Sequence, residues 1–441
     1  MPCRVLNTKQ VCGVAITGLC LVALAVGIVW NGLFAVGDLS ARRNQTDSTR
    51  LAMRLMPANA AYPAQLADEL YASDPSEAKS LLQRAVNLNR FDAASWIQLG
   101  LLSEAGNDLP QAEKSLLQAA GADSTFLPSW SLANFYFRQQ NAARFWYWAQ
   151  KAAQMVPDDA TPLFRLAWYV NPNAQEIENL LQMKRPVVEG QFVNFLLTQG
   201  DPEAVTEAAS HLLQTSDQGT ETLLGACDWL LAHKRPDLAL GLWNGLATRT
   251  SYPSLGADSP VTNNDFGKSP LSHGFDWHLP TVEGVSSFLN ANPKTLGFEF
   301  SGEEPDSFLL LSQTAPVHAQ KTYALTVDYG TSGIPPRSGI EWQVTDEQTG
   351  AVLAKTTSLS SEQAGEKVGE QGGEQGGKVT TCFTTPANAA FVNLSLLYQR
   401  QPGTVRVEGK LALKAVRLLA ATAGDCAAEK ISDSRADSPA L

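Results

Sequence analysis

Four large aromatics, Tyr62, Trp96, Trp130 and Phe164, recur at a constant interval of 34 residues (96−62, 130−96, 164−130). A second set keeps the same interval: Ala78 with Ala112, Leu82 with Leu116, Ala85 with Ala119. A chain with this period builds one supersecondary unit repeatedly, and a unit so short buries its apolar face only against a neighbouring copy. Leu99 and Gly100 follow Trp96 on the next helical turn, the glycine admitting a close partner helix. Ala112, Leu116 and Ala119 fall at i, i+4 and i+7, one apolar stripe of a second helix. Between them, Gly106-Asn107-Asp108 reads as a turn, with Pro110 near the next helix start. The expected unit is therefore a helix-turn-helix pair whose aromatic plugs the space between neighbouring helices.

The order aromatic, Leu-Gly, then Ala, a large apolar residue and Ala resembles the unit pattern of the tetratricopeptide repeat family. The match is best over residues 60–170. Trp146 and Gln150 depart from it, and the spacing drifts after Phe164. Asp201-Pro202 opens another helical pattern, and Leu224-Gly225 with Ala239, Trp243 and Leu246 read as the two halves of one more unit. The expected repeat domain covers residues 55–249, in about five or six units. The resemblance implies a groove that receives a peptide or protein partner. The cluster Phe135, Tyr136, Phe137, Phe145, Trp146, Tyr147 and Trp148 is mostly core on the plainer reading, yet too dense to face inward entirely. Tyr147 and Trp148, with Arg138 and Arg144, are the expected groove residues, because rigid aromatics and arginines commonly anchor partners.

Residues 11–37 contain no charge. As a helix they would reach about 40 Å, enough to cross a hydrocarbon core of about 30 Å. A cleaved signal peptide is the alternative, with Ala35 and Gly37 near a cut site, but the apolar stretch exceeds the roughly 7–15 residues of a signal core. A transmembrane helix over 11–37 is expected, between a tail at 1–10 and a linker at 38–54. Arg4 and Lys9 precede it, while Arg42, Arg43, Arg50 and Arg54 follow. That count alone places the large portion inside. Long domains cross largely regardless of flanking charge, so the expected arrangement is an inner-membrane protein with its bulk in the periplasm or outside.

After a Ser/Pro/Gly-rich linker at 250–260, the pattern changes to period two: Leu296/Phe298/Phe300, Tyr323/Leu325/Val327/Tyr329, Ile340/Trp342/Val344, Val405/Val407 and Leu411/Leu413. Alternation with short, turn-rich connections predicts an antiparallel β-sandwich over 261–420. Residues 359–378, which hold a Gly/Glu/Gln-rich stretch, are expected to be a flexible loop, and 421–441 a disordered tail. Asn263-Asn264-Asp265-Phe266, Gly274-Phe275-Asp276-Trp277, Ser312-Gln313, Lys321-Thr322-Tyr323 and the closing run 403–418 resemble galactose-binding-like, carbohydrate-binding-module-like jelly rolls. That resemblance implies the fold, and polysaccharide as a partner. Trp277, His278, Tyr398 and Arg400 are the glycan-contact candidates; Trp342 and Tyr329 read as core. Cys382 and Cys426 could form a disulfide in an oxidising compartment.

The formal net charge of −11 repels phosphate backbones, so nucleic acid is not an expected partner. The sequence holds no HExxH, GxSxG, P-loop or strand-borne GxGxxG, and no Cys/His set with metal-ligand spacing. His273, Asp276 and His278 read as a polar loop and not as a metal site. The whole is expected to be a multidomain α and β protein, a non-enzymatic membrane-anchored scaffold without cofactor or metal, serving exopolysaccharide or cell-envelope assembly. The alternatives are a polysaccharide-acting enzyme with its catalytic pair in the sandwich, and a cytoplasm-facing repeat adaptor.

Overall fold

The computed structural model describes residues 8–43, 45–360, 375–422 and Cys426. Residues 1–7 of the expected tail, 361–374 of the expected loop and nearly everything beyond 422 lie outside the described residues. The chain divides into two compact units, Met1–Val188 and Glu189–Leu441.

The first unit opens with α1 (Thr8–Ala41), of which Thr17–Ala41 is long and apolar enough to cross a membrane. Within 38–54 most of the described residues are helical, unlike the linker expected there. α1 runs on to Ala41, and α2 (Thr46–Leu55) follows. Small and apolar side chains explain the difference: Ala41, Ala52, Met56 and Tyr62 close into one buried cluster, and Gln65 Nε2 donates to the Ala41 carbonyl at 2.7 Å.

Four helix pairs follow: α3 (Ala61–Leu70) with α4 (Pro75–Leu88), α5 (Ala93–Ala105) with α6 (Leu109–Ala122), α7 (Phe126–Arg138) with α8 (Ala142–Met155), and α9 (Thr161–Val170) with α10 (Ala174–Leu181). The second helix of each pair starts on an Asx residue whose carboxyl or amide oxygen accepts from a free backbone N–H: Asp74 from Glu77, Asp108 from Gln111, Asn141 from Arg144, Asn173 from Glu176. Such caps satisfy donors that the helix itself leaves unpaired. Tyr62, Trp96, Trp130 and Phe164 all lie near the start of a first helix, in equivalent places. Tyr62 and Phe164 are buried, whereas Trp96 and Trp130 are half-buried. Leu99, Gly100, Ala112, Leu116 and Ala119 are all buried. A Cβ on Gly100 would lie 2.7 Å from Leu116 Cγ and 3.3 Å from the Ala112 carbonyl. Gly100→Val is therefore expected to lower the stability of this unit by about 1–3 kcal/mol through overpacking, read from the denaturant midpoint of its unfolding. An unchanged midpoint would mean that Leu116 turns aside freely.

Two further pairs occur in the second unit's sequence: α11 (Pro186–Leu197), which begins at the boundary, with α12 (Pro202–Thr215), and α13 (Thr220–Ala232) with α14 (Pro236–Ala247). After them come β1 (Val285–Ala291), β2 (Lys294–Ser301), β3 (Ser307–Pro316), β4 (Thr322–Ser332), β5 (Ile340–Asp346), β6 (Val352–Lys355), β7 (Gln375–Thr384), β8 (Phe391–Gln399) and β9 (Glu408–Ala420). They form an antiparallel sandwich with sheet orders β1-β2-β9-β4-β7 and β3-β8-β5-β6. The alternating residues Leu296/Phe298/Phe300, Tyr323/Leu325/Val327/Tyr329, Ile340/Trp342/Val344 and Leu411/Leu413 fill its core. Val405 and Val407 precede β9 and belong to no strand; Val405 is exposed, and Val407 is buried with its N–H given to Glu304 Oε1. The glycine-rich run ends as strand: Gly376 and Gly377 pair with Gly330 and Tyr329 of β4. Cys382 and Cys426 are joined by a disulfide.

The segment 250–260 is tied to α14, unlike a free linker. Tyr252 stacks on Trp243 at 5.5 Å, and Asn244 exchanges hydrogen bonds with the backbone of Leu255. Trp243 also meets the sandwich: Gly274 (φ +56) approaches so closely that a Cβ there would sit 2.6 Å from the indole. Asp228 of α13 accepts from the Gly274 N–H at 2.6 Å and contacts His273 Nδ1 at 2.5 Å, while Lys234 reaches Glu347 at 2.7 Å. Side-chain plugs and backbone hydrogen bonds thus join α13–α14 to the sandwich within this unit.

Candidate partner-binding face

The first helices of successive pairs in the first unit lie side by side, α5 beside α7 and α7 beside α9. Each is linked to the next, the second and third links lying near the C-terminal ends of the helices. Gln98 Nε2 donates to Asp68 at 2.8 Å between α5 and α3. Arg138 forms a two-pronged pair with Glu104 between α7 and α5, both hydrogen bonds at 2.7 Å. Phe137 and Tyr169 meet edge to face at 5.5 Å between α7 and α9. A planar guanidinium matched to a carboxylate holds geometry well even when partly exposed. The links leave a continuous face with one prominent feature: Tyr169 is 80% exposed, the most exposed aromatic among the described residues.

Of the four expected groove residues, the structure places Arg138 on this face and the other three elsewhere. Arg144 is paired with Glu113 and donates to Tyr136 Oη at 2.9 Å. Tyr136 Oη in turn donates to Glu113 at 2.8 Å, so the triad binds α6, α7 and α8 together. Burial, then the adjoining Glu113 carboxylate, pushes the Tyr136 hydroxyl above its ordinary pKa, keeping it a neutral donor. Arg144 is thus already committed to internal partners. Tyr147 and Trp148 lie on the second helix α8, in edge contact at 5.1 Å, with the Lys151 ammonium 4.7 Å and 4.8 Å above their rings. Consecutive residues on one helix point in different directions, which is why Tyr147 is exposed and Trp148 half-buried.

Tyr169 escaped the sequence reading, although its signal was present. Leu101, Phe135 and Tyr169 form another set at 34-residue spacing (135−101, 169−135), as do Glu104 and Arg138 (138−104). Periodicity shows that these positions are equivalent. It does not show that Phe135 becomes buried while Tyr169 stays open.

Two of the glycan candidates in the sandwich, Trp277 and Tyr398, require correction. Trp277 is fully buried between Phe266 and Trp342, at centroid distances of 5.8 Å and 5.9 Å, and its Nε1 donates to the Asn263 carbonyl. Tyr398 is likewise fully buried against Phe308 and Phe300. A sugar stacks on an accessible ring face, and neither ring offers one. His278 is half-buried with Nε2 at 2.9 Å from the Gly274 carbonyl, and the exposed Arg400 pairs with Asp306 at 2.9 Å. Among the described residues, no group of three His, Cys, Asp or Glu side chains could hold a metal ion. Asp276 is occupied by Thr262 and the Leu271 N–H, and His273 by Asp228.

No protein-family model matches the chain, and no curated protein matches it. Among solved structures it is similar to YrrB, described as a TPR protein with an unusual peptide-binding site, at 11% identity over 47% of this chain and 94% of that one, with a TM-score of 0.24. It is also similar to a chain of the APC/C hetero-tetramer Cut9-Hcn1, at 15% identity over 48% of this chain and a TM-score of 0.27; the match spans 44% of that chain, less than half its length. A third similarity, to a structure described under CBM4 structure and function, has 10% identity over 36% of this chain and 99% of that one, with a TM-score of 0.26.

Proposed function

We propose that this chain is a membrane-anchored, non-catalytic scaffold whose first-helix face, ending at Tyr169, receives a segment of a protein partner. The observation that carries the reading is the row of lateral links from Gln98–Asp68 through Arg138–Glu104 to Phe137–Tyr169, which holds one face rigid and leaves a large ring uncovered. An exposed aromatic held in place by a neighbouring ring suits partner anchoring, because little side-chain freedom is lost on binding. The apolar α1 supports anchoring to a membrane. The Cys382–Cys426 bond supports an oxidising compartment for the sandwich, hence the periplasm or cell exterior and a role in envelope or exopolysaccharide assembly. A reporter fused to the C-terminus tests the compartment; activity only of a cytoplasmic reporter would reverse it.

The partner face is tested in cells with a photo-crosslinking amino acid at position 169 of the full chain. A discrete protein adduct is expected there, and its yield should fall about tenfold when Arg138→Glu breaks the Arg138–Glu104 link that holds the face, the size of a moderate hot spot. Absence of any adduct at 169, with the chain folded and membrane-inserted, would overturn the reading.

A further inference from the structure

The sandwich has four edge strands, and three are covered or laced. The β3 edge is bridged by His278, whose N–H donates to the Ser312 carbonyl at 2.8 Å and whose carbonyl accepts from the Ser312 N–H at 3.1 Å. Thr381 of β7 donates to the Lys355 carbonyl of β6 at 3.2 Å, closing that side, and Cys382 of β7 is bonded to Cys426. The fourth edge, β1, differs. Each of residues 286–291 is exposed, and the register of β1 with β2 runs without a bulge. Its sequence, Val-Ser-Ser-Phe-Leu-Asn-Ala, contains no charge and no proline. Lysines, prolines, bulges and covering segments are the devices that keep a strand edge from pairing, and among the described residues 286–291 has none of them.

We infer that β1 is the pairing edge for a second copy of this chain, joining two five-stranded sheets into one through an antiparallel β1–β1 contact centred on Phe288. Paired antiparallel to itself about that centre, the strand matches on its outer face, with Ser286 opposite Asn290 and Phe288 opposite its own counterpart; on the core side Val285 falls opposite Ala291 and Leu289 opposite Ser287. Phe288 is positioned for this, since its ring lies over Gly297 of β2, where a Cβ would come within 2.4 Å of it. Leu289 pairs with the buried Leu296 yet stays 37% exposed, so the core side of the edge is open and would be extended by the second strand. An uncharged edge adds no charge repulsion of its own when two copies of a chain carrying −11 approach. Opposed residues in such a pair have Cα atoms about 4.5–5.5 Å apart, within the usual span of a disulfide. The inference rests on β1 alone and is independent of the partner face at Tyr169.

The test uses the full chain in detergent micelles. Phe288→Cys should give a covalent dimer on mild oxidation, well above the background that the unaltered chain sets with its own N-terminal cysteines, Cys3, Cys12 and Cys20. Ser286→Cys alone should give about background, whereas mixed with Asn290→Cys it should cross-link. The unaltered chain should have a dimer mass by light scattering, and Ser287→Lys or Phe288→Lys should return it to a monomer without changing its circular dichroism. Three results would overturn the inference: equal cross-linking at 286 and 288, a dimer indifferent to both lysines, or a monomer whose β1 amides become protected only when an extended peptide is added.

Discussion

Trp277→Ala is expected to lower the stability of the second unit by about 3–5 kcal/mol, the range for emptying a large buried aromatic site. The indole is fully enclosed, touches Phe266 and Trp342, and gives its only N–H to the Asn263 carbonyl. Alanine would leave a void bordered by two rings and an unpaired carbonyl, which the close-packed side chains around it can fill only in part. Trp277 also belongs to the segment 273–277 that meets α13 and α14 through Asp228 and Trp243. The loss should therefore reach those helices. In denaturant, unfolding of the sandwich and of α13–α14 should move together to lower concentration, while the first unit keeps its midpoint. A small effect, near that of an exposed tryptophan, would show that the ring is a surface platform after all.

Phe164→Ala should be of similar size in the other unit, about 3–5 kcal/mol, because Phe164 is fully buried in α9. The informative comparison is Trp130→Ala at the equivalent position of α7. Trp130 is the larger side chain, but it is only half-buried and stacks on Phe126 at 5.9 Å. Water already touches part of its ring, so its removal should cost clearly less than that of Phe164. Both variants are measured as midpoint shifts of the first unit's helical signal. Equal costs would mean that shared position in the repeat, and not burial, sets the energy. Unit-by-unit transitions are needed, since a two-unit chain has no single unfolding free energy.

The two readings of the Gly/Glu/Gln run and of Val405 show where pattern alone stops. Glycine-rich sequence has little strand preference of its own, yet Gly376 and Gly377 are strand because β4 supplies the neighbour and Tyr329 occupies the space a side chain would take. Val405 and Val407 alternate as a strand would, but among the described residues no strand pairs with them, and the Val407 N–H goes to the Glu304 side chain instead. Arg144 makes the same point for the site. Its residue type suits partner binding, and only the arrival of Glu113 and Tyr136 from two other helices takes it out of use.

What the amino-acid order determined by itself was everything carried by contacts close along the chain. The 34-residue unit, its two helices and their Asx caps, the apolar span at the N-terminus and the alternating core strands all follow from spacings of one to a few turns. Which equivalent positions ended buried was decided only by the tertiary structure. Trp277 and Tyr398 inside, Tyr169 outside and β1 uncovered each depend on an element distant in sequence being present or absent at that spot. Exposure is a property of the neighbour as much as of the residue, and a linear pattern contains no neighbour.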